Sequence, residues 1–209
     1  MKNVGRIFIL SAPSGTGKSS LIKSFLKKEQ FLEVKMSISY TTRLIRPGER
    51  HGIDYYFISK KKFKLMIKKK KFLEYAKVFN NYYGTPLIHT QSILFKGQDI
   101  LLDIDWQGAR QIKKIFLNAK SIFLLPPSKD ELFNRLKKRN QDDQEVIFHR
   151  MKKFIKETSH YLEYDYLIIN DNFNDAISHL KTIICSYRLS TSYQSMKYKK
   201  LIQNLLCRD

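Results

Sequence analysis

The stretch SAPSGTGKSS, residues 11–20, sets two glycines, a lysine and several hydroxyls between the apolar run RIFIL and the segment LIKSFLKK, whose apolar residues recur at helical spacing. A strand that turns into a helix through glycines can curl its backbone until successive N–H groups face inward, with the positive end of the helix aimed at the same spot. Such a turn cradles phosphate. Residues 12–19 fit the pattern G-x-x-x-x-G-K-[ST], except that Ala12 replaces the first glycine. The candidate phosphate-binding set is Ala12, Pro13, Ser14, Gly15, Thr16, Gly17, Lys18, Ser19 and Ser20. Lys18 is placed to follow the charge of a transferred phosphoryl group, and the Ser19 hydroxyl to ligate Mg²⁺. In LLDIDWQG, Asp103 and Asp105 end an apolar run; either can hold the metal's waters or orient a substrate, and Asp105 can equally cap the next helix.

A phosphate loop serves many reactions, so the choice among them rests on a second cluster. SYTTRLIRPGERHGIDYYF puts Arg43 and Arg46 three residues apart and adds Tyr55, donors able to grip another phosphate. FLEYAKVFNNYYGT contributes Glu74, Tyr83 and Thr85. If 72–79 is a strand, Phe72, Glu74, Ala76 and Val78 share one face, which places a carboxylate among apolar neighbours. A buried carboxylate needs donors. Guanine offers two on one edge, N1–H and the N2 amino group, while the Ser39 hydroxyl could satisfy its O6.

These groups must be held by a framework. The runs at 6–10, 99–105, 121–126 and 165–170 are short and apolar, as buried parallel strands are, and helix-like segments separate them. Ser128 is placed to cap the helix after the third run. The alternation predicts an α/β fold, a three-layer core around a parallel sheet with ligands at the carboxyl ends of its strands. Two stretches interrupt it. Residues 36–85 read as an inserted α/β lobe for a second substrate, and 135–150, polar and carrying Arg135, Arg139 and Arg150, as a lid; the core is then 1–35, 86–134 and 151–209.

At 209 residues the chain suits one domain. Lys and Arg number 39 against 19 Asp and Glu, a net charge of +20 that attracts any polyanion without choosing one. The densest lysines, at 59–72, surround Phe63, Met66 and Ile67 in a helical pattern and read as a solvated face over one buried stripe, with a nucleic-acid patch as the alternative. No recognition-helix or RNA-binding motif supports a specific nucleic-acid partner. Cys185 and Cys207 lack metal spacing and fit a reducing cytoplasm; the scattered histidines likewise lack ligand spacing. The N-terminal apolar stretch is too short for a membrane span.

Taken in order, the phosphate loop, TTR, GxDYxF with x filled by Ile53 and Tyr56, FLEYA, NYYGT, DIDWQG, PPS and IIND make the chain resemble guanylate kinase over nearly its full length. The resemblance implies a P-loop fold that transfers a phosphoryl group from ATP to GMP in guanine nucleotide supply, with Mg²⁺, and leaves acceptance of dGMP and the oligomeric state open. It assigns Ser39, Glu74 and Thr85 to guanine, and Arg43, Arg46, Tyr55 and Tyr83 to the GMP phosphate. Asp103 falls near GMP and the metal, Arg135, Arg139 and Arg150 on the lid, and Asn170 at the ATP base. For Arg135 a solvated helix position is an equal reading. Departures are Tyr40, where histidine is common, and Lys138 and Asn140 around Arg139, where glycines are usual. The fold also serves scaffold domains that bind peptides, but their phosphate turns are usually degraded, whereas Gly17, Lys18 and Ser19 are kept here.

Overall fold

The computed structural model describes residues 5–78, 80–138 and 144–207, with the backbone alone at 138 and 144–150. Strand β1 (Ile7–Ser11) is buried along its whole length, and the glycine-rich turn carries it into α1 (Lys18–Lys28), which points Leu21, Ile22 and Phe25 inward. A turn of 3₁₀ helix at Gln30–Leu32 leads to β2 (Lys35–Met36). Next come β3 (Tyr40–Thr41), β4 (Tyr56–Phe57), α2 (Lys60–Lys68), β5 (Phe72–Val78) and β6 (Asn81–Pro86). The chain then alternates through α3 (Leu87–Phe95), β7 (Ile100–Asp103), α4 (Trp106–Ile115), β8 (Lys120–Leu125) and α5 (Lys129–Lys138). It ends with α6 (Gln144–Thr158), a 3₁₀ stretch at Ser159–Glu163, β9 (Tyr166–Ile169), α7 (Phe173–Arg188), α8 (Thr191–Lys197) and α9 (Lys199–Leu206).

Five strands pair in parallel in the order β2-β7-β1-β8-β9. Because side chains alternate across a strand, Phe8 and Leu10 of β1 join α1 and α7 in one apolar layer, while Ile7 and Ile9 join Ile93, Leu94, Ala109 and Ile112 of α3 and α4 in the other. The core is therefore three layers, as the alternation predicts.

The second sheet, β4-β3-β6-β5, is mixed, with β3 parallel to β4 and β6 antiparallel to β3 and β5. Its helix α2 starts at Ser59, whose hydroxyl accepts from the Lys62 amide at 3.2 Å. Phe63 is fully buried and stacks on Phe72 and Tyr82, with ring centroids 4.4 and 5.3 Å away. Met66 and Ile67 are half-buried and the lysines of the helix are exposed, so the run is a solvated face over an apolar stripe. On β5 the expected face needs correction: the register shifts between Phe72 and Glu74, and Leu73 is buried as well, against the α3 side of the core. Residue 135 lies inside α5, where Leu136 is buried with Leu132 and Phe154, so the polar reading of 135–150 does not hold at its start.

Candidate active site

One cleft of about 350 Å³ runs from the carboxyl ends of β1 and β7 to the second sheet. The turn Ala12–Ser19 forms one wall. Gly15 and Gly17 have φ of 95° and 93°, a left-handed backbone that side chains resist. Space forbids a side chain there too: a Cβ on Gly15 would come within 2.8 Å of Leu132 and Leu136, and one on Gly17 within 2.8 Å of the Asn170 amide. Gly17 precedes α1 and has no side chain with which to cap it, so the first amides of the helix are left to a ligand.

Lys18 Nζ meets Asp103 Oδ1 at 2.5 Å and the Ile104 carbonyl at 3.3 Å. Ser19 Oγ lies 3.5 Å from the other Asp103 oxygen. Ser20 is exposed at the rim and does not line the cleft. Asp105 is the helix cap that its position allowed, accepting from the Gly108 amide at 3.0 Å, and it also lines the cleft.

Arg43, Arg46, Tyr55 and Tyr83 converge on the opposite side. Arg43 donates to Glu49 at 2.7 Å and to the Leu44 carbonyl at 2.6 Å, and its guanidinium lies over the Tyr55 and Phe57 rings. Glu49 also accepts from the Arg46 amide at 2.9 Å. Burial pushes the Glu49 carboxyl up, but Arg43 and the Arg46 amide outweigh it and hold it below its ordinary value. Burial and the Asp103 charge push the Tyr55 hydroxyl up, so it stays a neutral donor.

Between these walls sits Glu74, 4 % exposed. Its Oε1 accepts from the Thr85 amide at 3.0 Å and the Thr85 hydroxyl at 2.6 Å. Burial pushes its carboxyl up to about 7, Asp105 adds to the rise, and Thr85 and Lys18 oppose it. Ser39 is buried and lines the same end. Thr85 does not line the cleft, since its hydroxyl is engaged by Glu74.

Asn170 and Arg135 lie behind the phosphate loop and are not among the cleft-lining residues. Asn170, 3 % exposed, donates to the Thr16 carbonyl at 2.6 Å, and Arg135 reaches that carbonyl at 3.4 Å, the Asn170 carbonyl at 3.2 Å and Glu131 at 2.7 Å. Arg135 is thus a brace for the loop, which neither sequence reading foresaw. Arg139 and the Arg150 side chain lie outside the described residues.

The structure adds Glu157, whose carboxylate accepts from the Ser14 amide at 3.3 Å and lines the cleft. Burial pushes its carboxyl up. No local pattern in FIKETSHYLEYD marks it, because α6 brings it to the loop from 143 residues away. Trp106 also lines the cleft and stacks on His160 with ring centroids 3.8 Å apart, so that histidine is a packing residue. Among the described residues no cluster of His, Cys, Asp and Glu is arranged to hold a metal by itself.

A guanylate kinase family model matches residues 4–187. A guanylate kinase of Buchnera aphidicola from Acyrthosiphon pisum is 58 % identical over 202 residues, 97 % of this chain and 98 % of that one. One from Blochmanniella pennsylvanica is 54 % identical over the whole of both chains. The crystal structure of guanylate kinase from Anaplasma phagocytophilum superposes with a TM-score of 0.75 at 32 % identity, covering 91 % of this chain and 90 % of that one. With a phosphate loop and a buried carboxylate sharing one cleft, and relatives alike from end to end, the chain belongs to the guanylate kinase family.

Proposed function

We infer that the protein transfers the γ-phosphoryl group of ATP to GMP, giving ADP and GDP. The observation that carries this reading is the buried Glu74 carboxylate at the far end of the cleft that the phosphate loop opens. An ionised carboxylate is an acceptor only, and guanine's N1–H and N2 amino edge supplies two donors; adenine presents a lone pair there instead.

The loop amides and Lys18 hold the ATP phosphates, while Arg43, Arg46, Tyr55 and Tyr83 hold the GMP phosphate in line with them. Both substrates are polyanions, so positioning and cationic stabilisation are the main work of the site. Lys18 pairs with Asp103 at the cleft and is placed to reach a phosphate bound at the loop. The adjacent oxygens of Ser19 and Asp103 suit Mg²⁺, a hard cation that takes one or two protein oxygens and keeps its waters. Bound there, Mg²⁺ would neutralise charge on the β- and γ-phosphates. Asn170 and Arg135 support ATP binding by fixing the Thr16 carbonyl at the base of the loop. Arg139 and Arg150 are assigned to closure over the γ-phosphate. We place the protein in the cytoplasm, on the free cysteines Cys185 and Cys207 and on the family's soluble substrates; among the described residues no helix is long and apolar enough to cross a membrane.

The test is a coupled assay with ATP and each of GMP, AMP, UMP and CMP, repeated on Glu74→Gln. GMP is expected to be preferred over AMP by about 10⁴-fold, as hydrogen-bonding sites achieve. Glu74→Gln should lose most of that preference and leave the KM for ATP unchanged. Equal use of AMP by the unaltered protein, or an unchanged preference in Glu74→Gln, refutes the reading.

A further inference from the structure

We propose that Gly108, on the core helix α4 and outside the cleft lining, is a specificity-determining positioning residue: its missing side chain is the seat of the Glu74 carboxylate. The proposal rests on the reading of Glu74 as the guanine acceptor.

Gly108 is the third residue of α4, with no backbone strain or turn to account for a glycine. The space beside it does account for one. A Cβ at this position would overlap Glu74 Oε2 outright, stand 3.0 Å from Glu74 Cδ and 3.3 Å from Ile104 Cβ. None of these neighbours can step aside freely. Glu74 Oε1 is pinned by the amide and hydroxyl of Thr85, so turning the carboxylate away from α4 breaks one or both bonds. Ile104 is buried in the core. The helix cannot slide, because the Gly108 amide itself donates to its cap, Asp105.

Nor can the strand retreat. β5 is the edge of its sheet, and α4 occupies the place of the next strand. Gln111 donates to the Tyr75 carbonyl at 2.8 Å and accepts from the Tyr75 amide at 3.3 Å, satisfying both backbone groups of the residue beside Glu74. Gln107 reaches the Lys77 carbonyl at 3.5 Å and Asp105 at 2.9 Å. Gln107, Gly108 and Gln111 lie on one helical face, so α4 fixes strand and carboxylate together. Since α4 begins three residues after Asp103, one rigid element joins the base-reading end of the cleft to the phosphate end.

Alanine is a better helix former than glycine, so Gly108→Ala should leave α4 itself sound and act through Glu74. The expected result is a fall of about 10²-fold in kcat/KM for GMP, the usual cost of an ångström-scale misplacement, with a narrower GMP/AMP preference and an unchanged KM for ATP. Glu74→Asp withdraws the carboxylate by one methylene and clears the space for a Cβ. In the double variant Gly108→Ala/Glu74→Asp the alanine should therefore cost little beyond Glu74→Asp alone. An unchanged GMP/AMP preference in Gly108→Ala, or losses that simply multiply in the double variant, overturns the proposal. If Gly108→Ala melts early, the same pair is read by thermal melting: recovery in the double variant supports the proposal and no recovery overturns it. An effect of Glu74→Gln without one of Gly108→Ala sinks this inference alone, whereas no effect of Glu74→Gln sinks the reading of Glu74 beneath it.

Discussion

The two ends of the cleft handle charge by opposite means. At the phosphate loop the groups offered are backbone amides of consecutive residues, and the side chains behind them only support it: Asn170 holds the Thr16 carbonyl, and buried Leu132 and Leu136 lie against Gly15. At the end proposed to read guanine sits a buried carboxylate, Glu74, held by β6 and seated against α4. Within the loop a side chain is resisted at Gly15 and Gly17, whose backbone is left-handed, but not at Ala12, whose backbone is not, which is why Ala12 can stand in the place of a glycine. A carboxylate taken out of water is costly unless every neighbour is arranged for it. The loop should therefore lose function without losing structure when its chemistry is removed, and the guanine end should respond to any change in its surroundings.

The largest effect expected tests the first half of that contrast. Lys18→Met removes the cation at the transferred group, and kcat should fall by about 10²–10³-fold. The Lys18 side chain is only 18 % exposed and pairs with Asp103, yet Asp103 keeps the Ser19 hydroxyl within 3.5 Å and faces the cleft. Circular dichroism should be unchanged. A wild-type kcat would mean that Lys18 does not meet the phosphoryl group, and a collapsed spectrum would mean that the loop is a structural element after all.

The guanine end should instead show itself through pH. With its carboxyl at about 7, raised from an ordinary 4.5 chiefly by burial, Glu74 is ionised above neutrality and carries a proton below it. Guanine's donors favour the ionised form, so GMP affinity should weaken by up to about tenfold per pH unit below 7. The GMP phosphate takes up a proton near pH 6 too, and Glu74→Gln isolates the carboxyl's share. For folding the sign is opposite: a raised carboxyl favours the protonated folded state, so its contribution is full below about 4.5 and is lost as pH rises to about 7. Ligand-free protein should lose melting temperature over that window relative to Glu74→Gln, and saturating GMP should recover it. Parallel melting curves for the two proteins would place Glu74 at an ordinary pKa and remove the contrast.

The same difference decides what could be read in the chain. SAPSGTGKSS is legible because its parts are neighbours in sequence, and the apolar runs at 6–10, 99–105 and 121–126 became the three inner strands because burial on both faces leaves few other solutions, whereas 165–170 became the edge strand β9, with Leu167 and Ile169 exposed on one face. Arg43, Arg46, Tyr55, Tyr83 and Glu74 were legible as types and do line one cleft. What escaped was assembled by packing. Glu157 reaches the loop from a helix without a motif, the shift beside Glu74 arises where β5 meets α3 and α4, and Asn170 and Arg135 turn toward the Thr16 carbonyl. Gly108 did leave a signal, a glycine inside a helical run in DIDWQG, but only the position of Glu74 gives that signal a meaning.

The smallest effect expected probes how finely the guanine end is adjusted. Thr85 is fully buried and gives Glu74 Oε1 two donors, its amide and its hydroxyl. Thr85→Val keeps the shape and the amide and removes the hydroxyl alone. A hydrogen bond to a charged group contributes about 1.5 kcal/mol or more, so KM for GMP should rise roughly tenfold while kcat at saturating GMP and KM for ATP stay put. The hydroxyl is also the strongest influence opposing burial at Glu74, so its loss should move the pH midpoint of GMP binding upward. Thr85→Ser, which restores a donor but leaves a methyl-sized gap, should recover the midpoint more fully than it recovers stability. A packing role for Thr85 gives the reverse pattern, with valine harmless and serine damaging, and that result would transfer the adjustment of Glu74 from Thr85 to the α4 side of the pocket.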